Sequence, residues 1–290
     1  MKLLSAKVLI ATTAIAVCGI VTSGQSAIAG TLYQGWNYAQ DSFKDGTGGN
    51  GAFEIYGIAV HQQGDQITVG INANTGAGGW YDRVSSRLLD GHIGWGDLIF
   101  DFSGVQYGLR FATKSNSGVS ELGLYTGITT KDLTVENDGW ESLQAHNNGS
   151  GKHNSLGDFK SSEMSYYTDK RNAPVVMASG TKVVNDNFQA LGKAELGALG
   201  LDFSGAFGVA NNILGSQTFG FTFTRTADML GDFVASLFFE CINDGIAIKG
   251  NLAENPVIPQ TEVPEPTSIV SLALIGLALS GGLKKRMQAA

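Results

Sequence analysis

Alternating apolar and polar residues mark much of this chain as β-strand. In residues 66–73, apolar side chains fall at every second position from Ile67 to Ala73. A period of two is typical of a strand that buries one face and leaves the other in water. Residues 53–60 are largely apolar and are followed by a polar turn at 62–65. The two apolar segments therefore predict a hairpin.

The clearest hairpin is predicted at residues 98–111. Apolar side chains occupy every second position on both sides of Ser103-Gly104, and a two-residue connection of this kind suits a tight turn. Phenylalanine alternates with polar residues or glycine at 218–226, which predicts another strand. Residues 174–184 are a further strand candidate. The almost wholly apolar segment 233–239 predicts a central strand that is buried on both faces.

Helical patterns are scarce between the two termini. Residues 188–199 are the one helix candidate, and the glycines at 192 and 197 weaken it. Residues 130–172 are polar and predict long surface loops with a short strand or two. Residues 100–104 (Phe-Asp-Phe-Ser-Gly) return as 201–205 (Leu-Asp-Phe-Ser-Gly), which we interpret as two similar strand ends.

These elements predict an all-β fold. Residues 30–250 are expected to form one antiparallel β-sandwich, jelly-roll-like or lectin-like, because short alternating segments recur between turn-rich stretches. Residues 31–50 form an edge element that runs into a glycine-rich loop. Residues 251–262 contain Asn255-Pro256 and Pro259 and predict an exposed linker.

The first 29 residues have the pattern of a secretory signal peptide. Lys2 and Lys7 precede an apolar stretch, and the small residues Ala27 and Ala29 precede Gly30. We predict cleavage between Ala29 and Gly30. The alternatives are an N-terminal membrane helix and a lipoprotein signal at Cys18. The small residues before Gly30 disfavour a membrane helix. The bulky Val17 before Cys18 disfavours a lipoprotein signal.

The last 28 residues, 263–290, have three parts. Two prolines keep the motif Val263-Pro264-Glu265-Pro266 extended. Fifteen uncharged residues follow at 269–283, fewer than the roughly 20 that a comfortable membrane span needs. A basic cluster comes next, composed of Lys284, Lys285 and Arg286, and it predicts a cytoplasmic C-terminus. A plain membrane anchor behind a proline-rich linker is the alternative.

These three parts, in this order, resemble the PEP-CTERM sorting signal of bacterial surface proteins. The resemblance implies a short transmembrane sorting helix that holds the precursor in the membrane, recognition by an exosortase, and loss of the apolar tail. Residues 231–244 resemble the strand and turn that precede this signal, with Glu240, Cys241, Asn243 and Asp244 matching. Ser236 and Ile242 stand where histidine and glycine are frequent, so no role of that histidine carries over.

Three further stretches resemble a cyanobacterial-type subfamily of these proteins. They are residues 36–45, 56–59 and 93–97. The resemblance implies a secreted or surface protein, with exosortase and the secretion machinery as partners. It assigns no molecular activity.

The charge balance disfavours nucleic acid as a partner. Five of the 19 basic residues lie in the two terminal segments, which leaves 14 against 26 acidic residues, or 25 without Glu265. The body therefore has a net charge of about −12 at neutral pH. Such a body repels nucleic acid and anionic lipid and attracts cations.

Catalytic patterns are weak in this sequence. Cys241 is the only cysteine after the signal peptide, and a buried structural thiol is favoured over a nucleophile because a neighbouring carboxylate raises its pKa. The histidines lack zinc-site spacing, and His146 and His153 are predicted to be solvated in a loop. Asp97 and Asp101 lie about 13 Å apart along a strand, too far for one catalytic pair.

Three functions follow from these patterns. The first is a non-enzymatic envelope or extracellular-matrix protein with a structural or adhesive role. The second is a lectin-like module that binds a surface polysaccharide by stacking sugars on tryptophan. Four residues could do so: Trp36, Trp80, Trp95 and Trp140. A hydrolase is the third.

Two acidic groups are candidates for binding calcium. Asp41 and Asp45 precede a glycine-rich loop, and Glu240, Asn243 and Asp244 follow the most apolar strand. Calcium prefers carboxylate, amide and backbone oxygens on flexible loops. In the alternative, the acids keep the surface soluble and residues 243–245 are a turn with side chains capping the backbone.

Overall fold

The computed structural model describes residues 30–254, apart from 82–87, 89, 151–154, 165, 168–172 and 209–212. The predicted signal peptide, most of the linker and the sorting tail lie outside these residues. Within the described ranges, no helix has the length and apolar character needed to cross a membrane.

Two six-stranded antiparallel sheets build the described part of the body, as the all-β prediction requires. In spatial order, the first sheet contains β1 (Thr31–Tyr33), β2 (Trp36–Gln40), β3 (Ile55–Gln63), β4 (Gln66–Ala73), β14 (Gln217–Thr224) and β13 (Gln189–Gly192). The second contains β12 (Val176–Lys182), β9 (Gly123–Lys131), β8 (Val105–Arg110), β7 (Leu98–Phe102), β15 (Gly231–Phe238) and β16 (Gly245–Leu252).

Short elements lie in the connections between these strands. The small strand pairs are β5 (Trp80–Tyr81) with β6 (His92–Ile93), and β10 (Ser155–Leu156) with β11 (Phe159–Lys160). The described ranges also contain the helices α1 (Leu143–Ser150), α2 (Lys193–Ala198) and α3 (Phe203–Phe207), and 3₁₀ turns at Gly49–Gly51 and Ser161–Glu163.

A large apolar core lies between the two sheets. Its inward residues are the alternating sets of the sequence pattern: Ile67, Val69 and Ile71 of β4, Phe219, Phe221 and Phe223 of β14, and Leu98, Phe100 and Phe102 of β7. The rings of Phe100 and Phe223 lie 6.0 Å apart, centroid to centroid, and join the two sheets directly. Face-to-face packing of this kind is consistent with a β-sandwich.

Several predicted strands are confirmed. β7 and β8 pair across Ser103 and Gly104, which have φ of 53° and 96° as a tight hairpin turn requires. β3 and β4 form the other predicted hairpin. β12 covers most of the candidate 174–184. β15 lies between β7 and β16, so the segment 233–239 is an interior strand as predicted.

The prediction of a solvated face on residues 66–73 is wrong. Thr68 and Asn72 are buried, and the side chain of Leu201 lies over Gly70. A second apolar cluster covers the outside of the first sheet and contains Trp36, Tyr38, Ala59, Leu196, Phe203 and Phe207. Alternation within one strand could not reveal this layer, because the residues that cover β4 lie more than 100 positions away.

Residues 188–205, which supply part of this outer layer, do not adopt the predicted structure. The helix candidate 188–199 begins as strand β13 and becomes helical only at α2. Residues 201–205 are not a strand end, because Asp202 caps α3 by accepting a hydrogen bond from the Gly205 N–H at 3.0 Å. Residues 100–104, by contrast, follow the strand register of β7. The same short motif therefore takes its conformation from its surroundings.

Residues 130–172 are not simply surface loops. Four apolar side chains from this region pack on the outer face of the second sheet: Leu133, Leu143, Leu156 and Met164. They belong to one cluster with Val176, Phe238 and Ala247 of that sheet. His146 is buried in α1, so the prediction that it is solvated is wrong. Because the segment is mostly polar, its sequence did not indicate that these few apolar residues would be buried.

Candidate metal centre

Three aspartates from the two predicted acidic groups meet in one buried place. Asp41, Asp45 and Asp244 each offer a carboxylate oxygen, and these oxygens all lie within 4.8 Å of one another. The three residues are 4%, 2% and 0% exposed, respectively. Asp41 and Asp244 come from opposite ends of the body in the sequence. The fold therefore assembles this cluster from distant parts of the chain.

A bulge in β3 prepares the site. Ile55 pairs with Ala73 and Gly57 pairs with Asn72, so Tyr56 falls at a shift in the register between β3 and β4. The Tyr56 carbonyl accepts the N–H of Asp41 at 3.2 Å. The N–H of Ile55 donates to Asp244 Oδ2 at 2.7 Å. Bulges redirect backbone groups in this way, and here the strand end contacts two of the three acids.

Glu54 holds the loop that carries Asp45. Its carboxylate accepts the backbone N–H of Lys44, and that of Gly46 at 3.0 Å. A Cβ at position 46 would lie 2.7 Å from Glu54 Cα, so glycine is required for this close approach. Glu54 is itself buried and acts electrostatically on both Asp41 and Asp244. It was not among the predicted site residues, although an acid at the start of an apolar strand was a usable signal.

The connection between β15 and β16 closes the site from the other side. The Asn243 carbonyl accepts the Thr47 N–H at 2.8 Å, and the Thr47 hydroxyl lies 3.3 Å from Asn243 Oδ1. His146 Nε2 donates to the carbonyls of Asp45 and Asn243, at 3.1 and 3.2 Å. The imidazole is thus a bridge between the two acidic loops. Burial lowers the pKa of His146 and keeps it neutral.

The electrostatics of the cluster are unfavourable for three bare carboxylates. Burial raises the pKa of Asp41 well above its ordinary value, and the neighbouring Asp45 adds to the shift. Burial also raises the pKa of Asp244, and repulsion from Asp41 and Asp45 raises it further. Desolvation and like charges both disfavour ionisation. A proton or a cation is the chemistry that relieves this arrangement.

Glu240 does not belong to the cluster, contrary to the sequence-based grouping. Its carboxylate accepts the N–H of Gly94 at 2.9 Å and the N–H of Asn116. The strand-like bridge between Trp95 and Phe239 directs it there, next to the 90–97 segment. Asn243 adjoins the cluster through its contacts with Thr47 and His146.

Cys241 and Ile242 are structural residues of the same connection. Cys241 is fully buried, and burial raises the pKa of its thiol far above the ordinary value, so the predicted buried thiol is confirmed. Ile242 has a φ of 48°, a conformation that is costly for a β-branched residue. Glycine adopts this conformation freely. The buried Ile242 side chain packs in the cluster around Phe238.

Two of the four tryptophans are unavailable for sugar stacking. Trp36 and Trp95 are fully buried, and their Nε1 groups donate to the carbonyls of Leu199 and Gly76. The lectin-like role predicted for these two is therefore wrong. Trp80 is 37% exposed. Trp140 is partly buried and donates to the Thr47 hydroxyl at 2.9 Å, beside the acidic cluster.

Comparisons with known protein-family models, with curated proteins and with solved structures found no match. The chain's own residues are therefore the basis for assigning a function.

Proposed function

We propose that this protein is exported, sorted at its C-terminus by an exosortase, and retained at the cell envelope or in the extracellular matrix as a non-catalytic structural or adhesive protein. The observation that carries the proposal is the three-part tail at 263–290. The signal-peptide pattern of residues 1–29 supports it from the other end of the chain. A chain with an export signal at its N-terminus and a sorting signal at its C-terminus is the precursor of a surface protein.

The body suits a passive surface role. Its two sheets enclose an aromatic core, and we propose that they form a jelly-roll-like sandwich. Two groups with catalytic potential are used structurally. Cys241 is buried, and His146 is bound to two backbone carbonyls. Cys241 therefore contributes to packing, and His146 connects two loops.

Changing Pro264 and Pro266 to alanine is expected to block processing. Without the two fixed φ angles, the segment loses its extended form and can join the following apolar helix. The precursor should remain in the membrane with its C-terminus intact, whereas the wild-type tail is removed. Membrane fractionation and mass spectrometry of the C-terminus measure this.

The matched control is the pair Pro256→Ala and Pro259→Ala in the linker, which should be processed like the wild type. Release of the Pro264/Pro266 variant at the wild-type rate would show that the motif is not the recognition element. A plain membrane anchor would then be the better interpretation of the tail.

A groove on the outer face of the second sheet favours a second candidate function, lectin-like binding of a surface polysaccharide. Two adjoining hollows of about 360 and 220 Å³ share Asp101, Phe159 and Val234. Gln106 and Asp232 add polar groups along their walls. An aromatic ring beside a few hydrogen-bonding groups in a concave surface is typical of small-ligand sites.

Replacing Phe159 with alanine tests this second candidate. If the groove binds glycan, loss of the ring should weaken binding to immobilised surface polysaccharide about fivefold or more. Phe188→Ala removes another half-buried ring, next to the first sheet, and should have no effect on binding. Equal binding by both variants and the wild type would exclude the groove as the glycan site.

A further inference from the structure

We propose that Asp41, Asp45 and Asp244 bind one calcium ion, which joins the first sheet to the final hairpin of the second sheet. This site goes beyond the proposed function, because it concerns how the body is held together and does not depend on export or sorting. The sequence predicts calcium at two separate acidic groups. The structure assigns it to a single cluster drawn from both.

The geometry of the cluster fits one calcium ion. Calcium binds oxygens at about 2.3–2.6 Å, so two ligands on opposite sides of the ion lie about 5 Å apart. The three carboxylate oxygens lie within 4.8 Å of one another. One ion can therefore contact all three. Second carboxylate oxygens, loop carbonyls and water are the usual ligands that complete six to eight positions.

A separate observation points to a ligand at this place. Asp41 is almost fully buried, and its Oδ1 accepts the Gly157 N–H at 3.0 Å. Its Oδ2 is also buried and has no hydrogen-bond donor among the residues that the structure describes. A buried acceptor without a donor is rare in folded proteins and requires an explanation. A bound cation supplies the missing partner.

The charge around the cluster also favours a cation over shared protons alone. Glu54 adds another buried carboxylate, and its effect on Asp41 and Asp244 is repulsive. The neighbouring His146 directs its Nε2–H at the carbonyls of Asp45 and Asn243 and not at a carboxylate oxygen. A divalent ion offsets two of these charges at once. Protons shared among the acids are the competing explanation, and the experiment separates the two.

The position of the cluster predicts what the ion stabilises. Asp41 follows β2 in the first sheet, and Asp244 directly precedes β16 in the second. An ion bound to both therefore connects two strands that are far apart in the sequence. Its removal should loosen this end of the sandwich and lower the melting temperature, because a ligand that binds only the folded state stabilises that state.

Thermal melts of the purified full-length protein test the proposal. At a calcium concentration about 100 times the dissociation constant, the melting temperature should be about 5–10 °C higher than in chelator. Magnesium should not reproduce this shift, because it requires shorter bonds and near-octahedral geometry. Metal analysis of the dialysed protein should find one calcium ion per chain. Equal melts in chelator and calcium, together with no bound ion, would overturn the proposal.

Asp41→Asn separates calcium binding from a purely structural hydrogen-bond role. The variant should lose the calcium-dependent shift, yet melt no lower than the wild type in chelator, because asparagine keeps an oxygen that accepts the Gly157 N–H and adds no charge to the cluster. Asp228→Asn, at an exposed aspartate, should keep the full shift. A shift of wild-type size in Asp41→Asn would overturn the assignment. If that variant fails to fold, the metal analysis of the wild type decides alone.

Discussion

Replacing Trp95 with alanine is expected to destabilise the body by about 3–5 kcal/mol, which is a large share of the stability of an ordinary domain. Trp95 is fully buried and stacks on Phe239 with ring centroids 3.9 Å apart. Phe219, from the opposite sheet, meets its ring at 5.6 Å. The substitution leaves a cavity between the sheets and removes the donor to the Gly76 carbonyl. Urea denaturation measures the loss.

Trp80→Ala is the matched control. Trp80 is partly exposed on β5, and the edge of its ring meets Phe53 at a centroid distance of 6.3 Å. Its replacement should change the free energy of unfolding by about 1 kcal/mol or less. A similarly small change for Trp95→Ala would contradict the conclusion that Trp95 packs tightly between the two sheets.

The inward faces of the strands were predictable from the sequence because they share one environment. β4, β7 and β14 all direct alternate residues into the same core, so a period of two is enough to identify them. The outward faces were less predictable. Thr68 and Asn72 are polar but buried, because the Thr68 hydroxyl lies 3.3 Å from the Thr222 hydroxyl and Asn72 donates to the Gln217 carbonyl. The alternation of apolar and polar residues cannot show whether a polar side chain contacts water or a buried partner of this kind.

The candidate site was predictable in part. The sequence identifies the acids at 41, 45 and 244 as candidates, because carboxylates in glycine-containing loops are suited to cations. Their convergence could not be predicted, because it depends on where the connection after β15 lies against the end of β2. Proximity in the sequence groups Glu240 with them, but the bridge at Phe239 places it elsewhere. The burial of His146 could not be predicted, because the residues around it in the sequence are polar.

Glu240→Gln is expected to remove much of the dependence of stability on pH between about pH 5 and pH 8. Glu240 is fully buried, and burial raises its pKa to about 7, with repulsion from Asp90 and Asp97 adding to the shift. The ordinary pKa of this group is 4.5. Between these two values, the folded state binds a proton that the unfolded state has lost. Stability therefore falls as the pH rises through this window.

The size and sign of the effect distinguish the variant from the wild type. A shift of this size corresponds to roughly 3 kcal/mol of stability lost by the wild type between low and high pH. Glutamine stays neutral throughout, so the variant should not show this loss, and its stability relative to the wild type should rise by roughly 3 kcal/mol between pH 5 and pH 8. The N–H groups of Gly94 and Asn116 contact different oxygens of Glu240, and the glutamine amide has only one oxygen to accept them, so the variant should carry a constant loss of stability at every pH.

Urea denaturation across this pH range, at constant calcium, measures the difference between the two proteins. Other acids also titrate in the window, notably Asp97, whose pKa burial raises to about 6. They are present in both proteins, so the difference between the two curves reports Glu240 together with its repulsion from Asp90 and Asp97. Asp228→Asn, an exposed control, should follow the wild-type curve. Parallel curves for Glu240→Gln and the wild type would show that Glu240 is ionised in the folded protein throughout, with its two backbone donors outweighing the effect of burial.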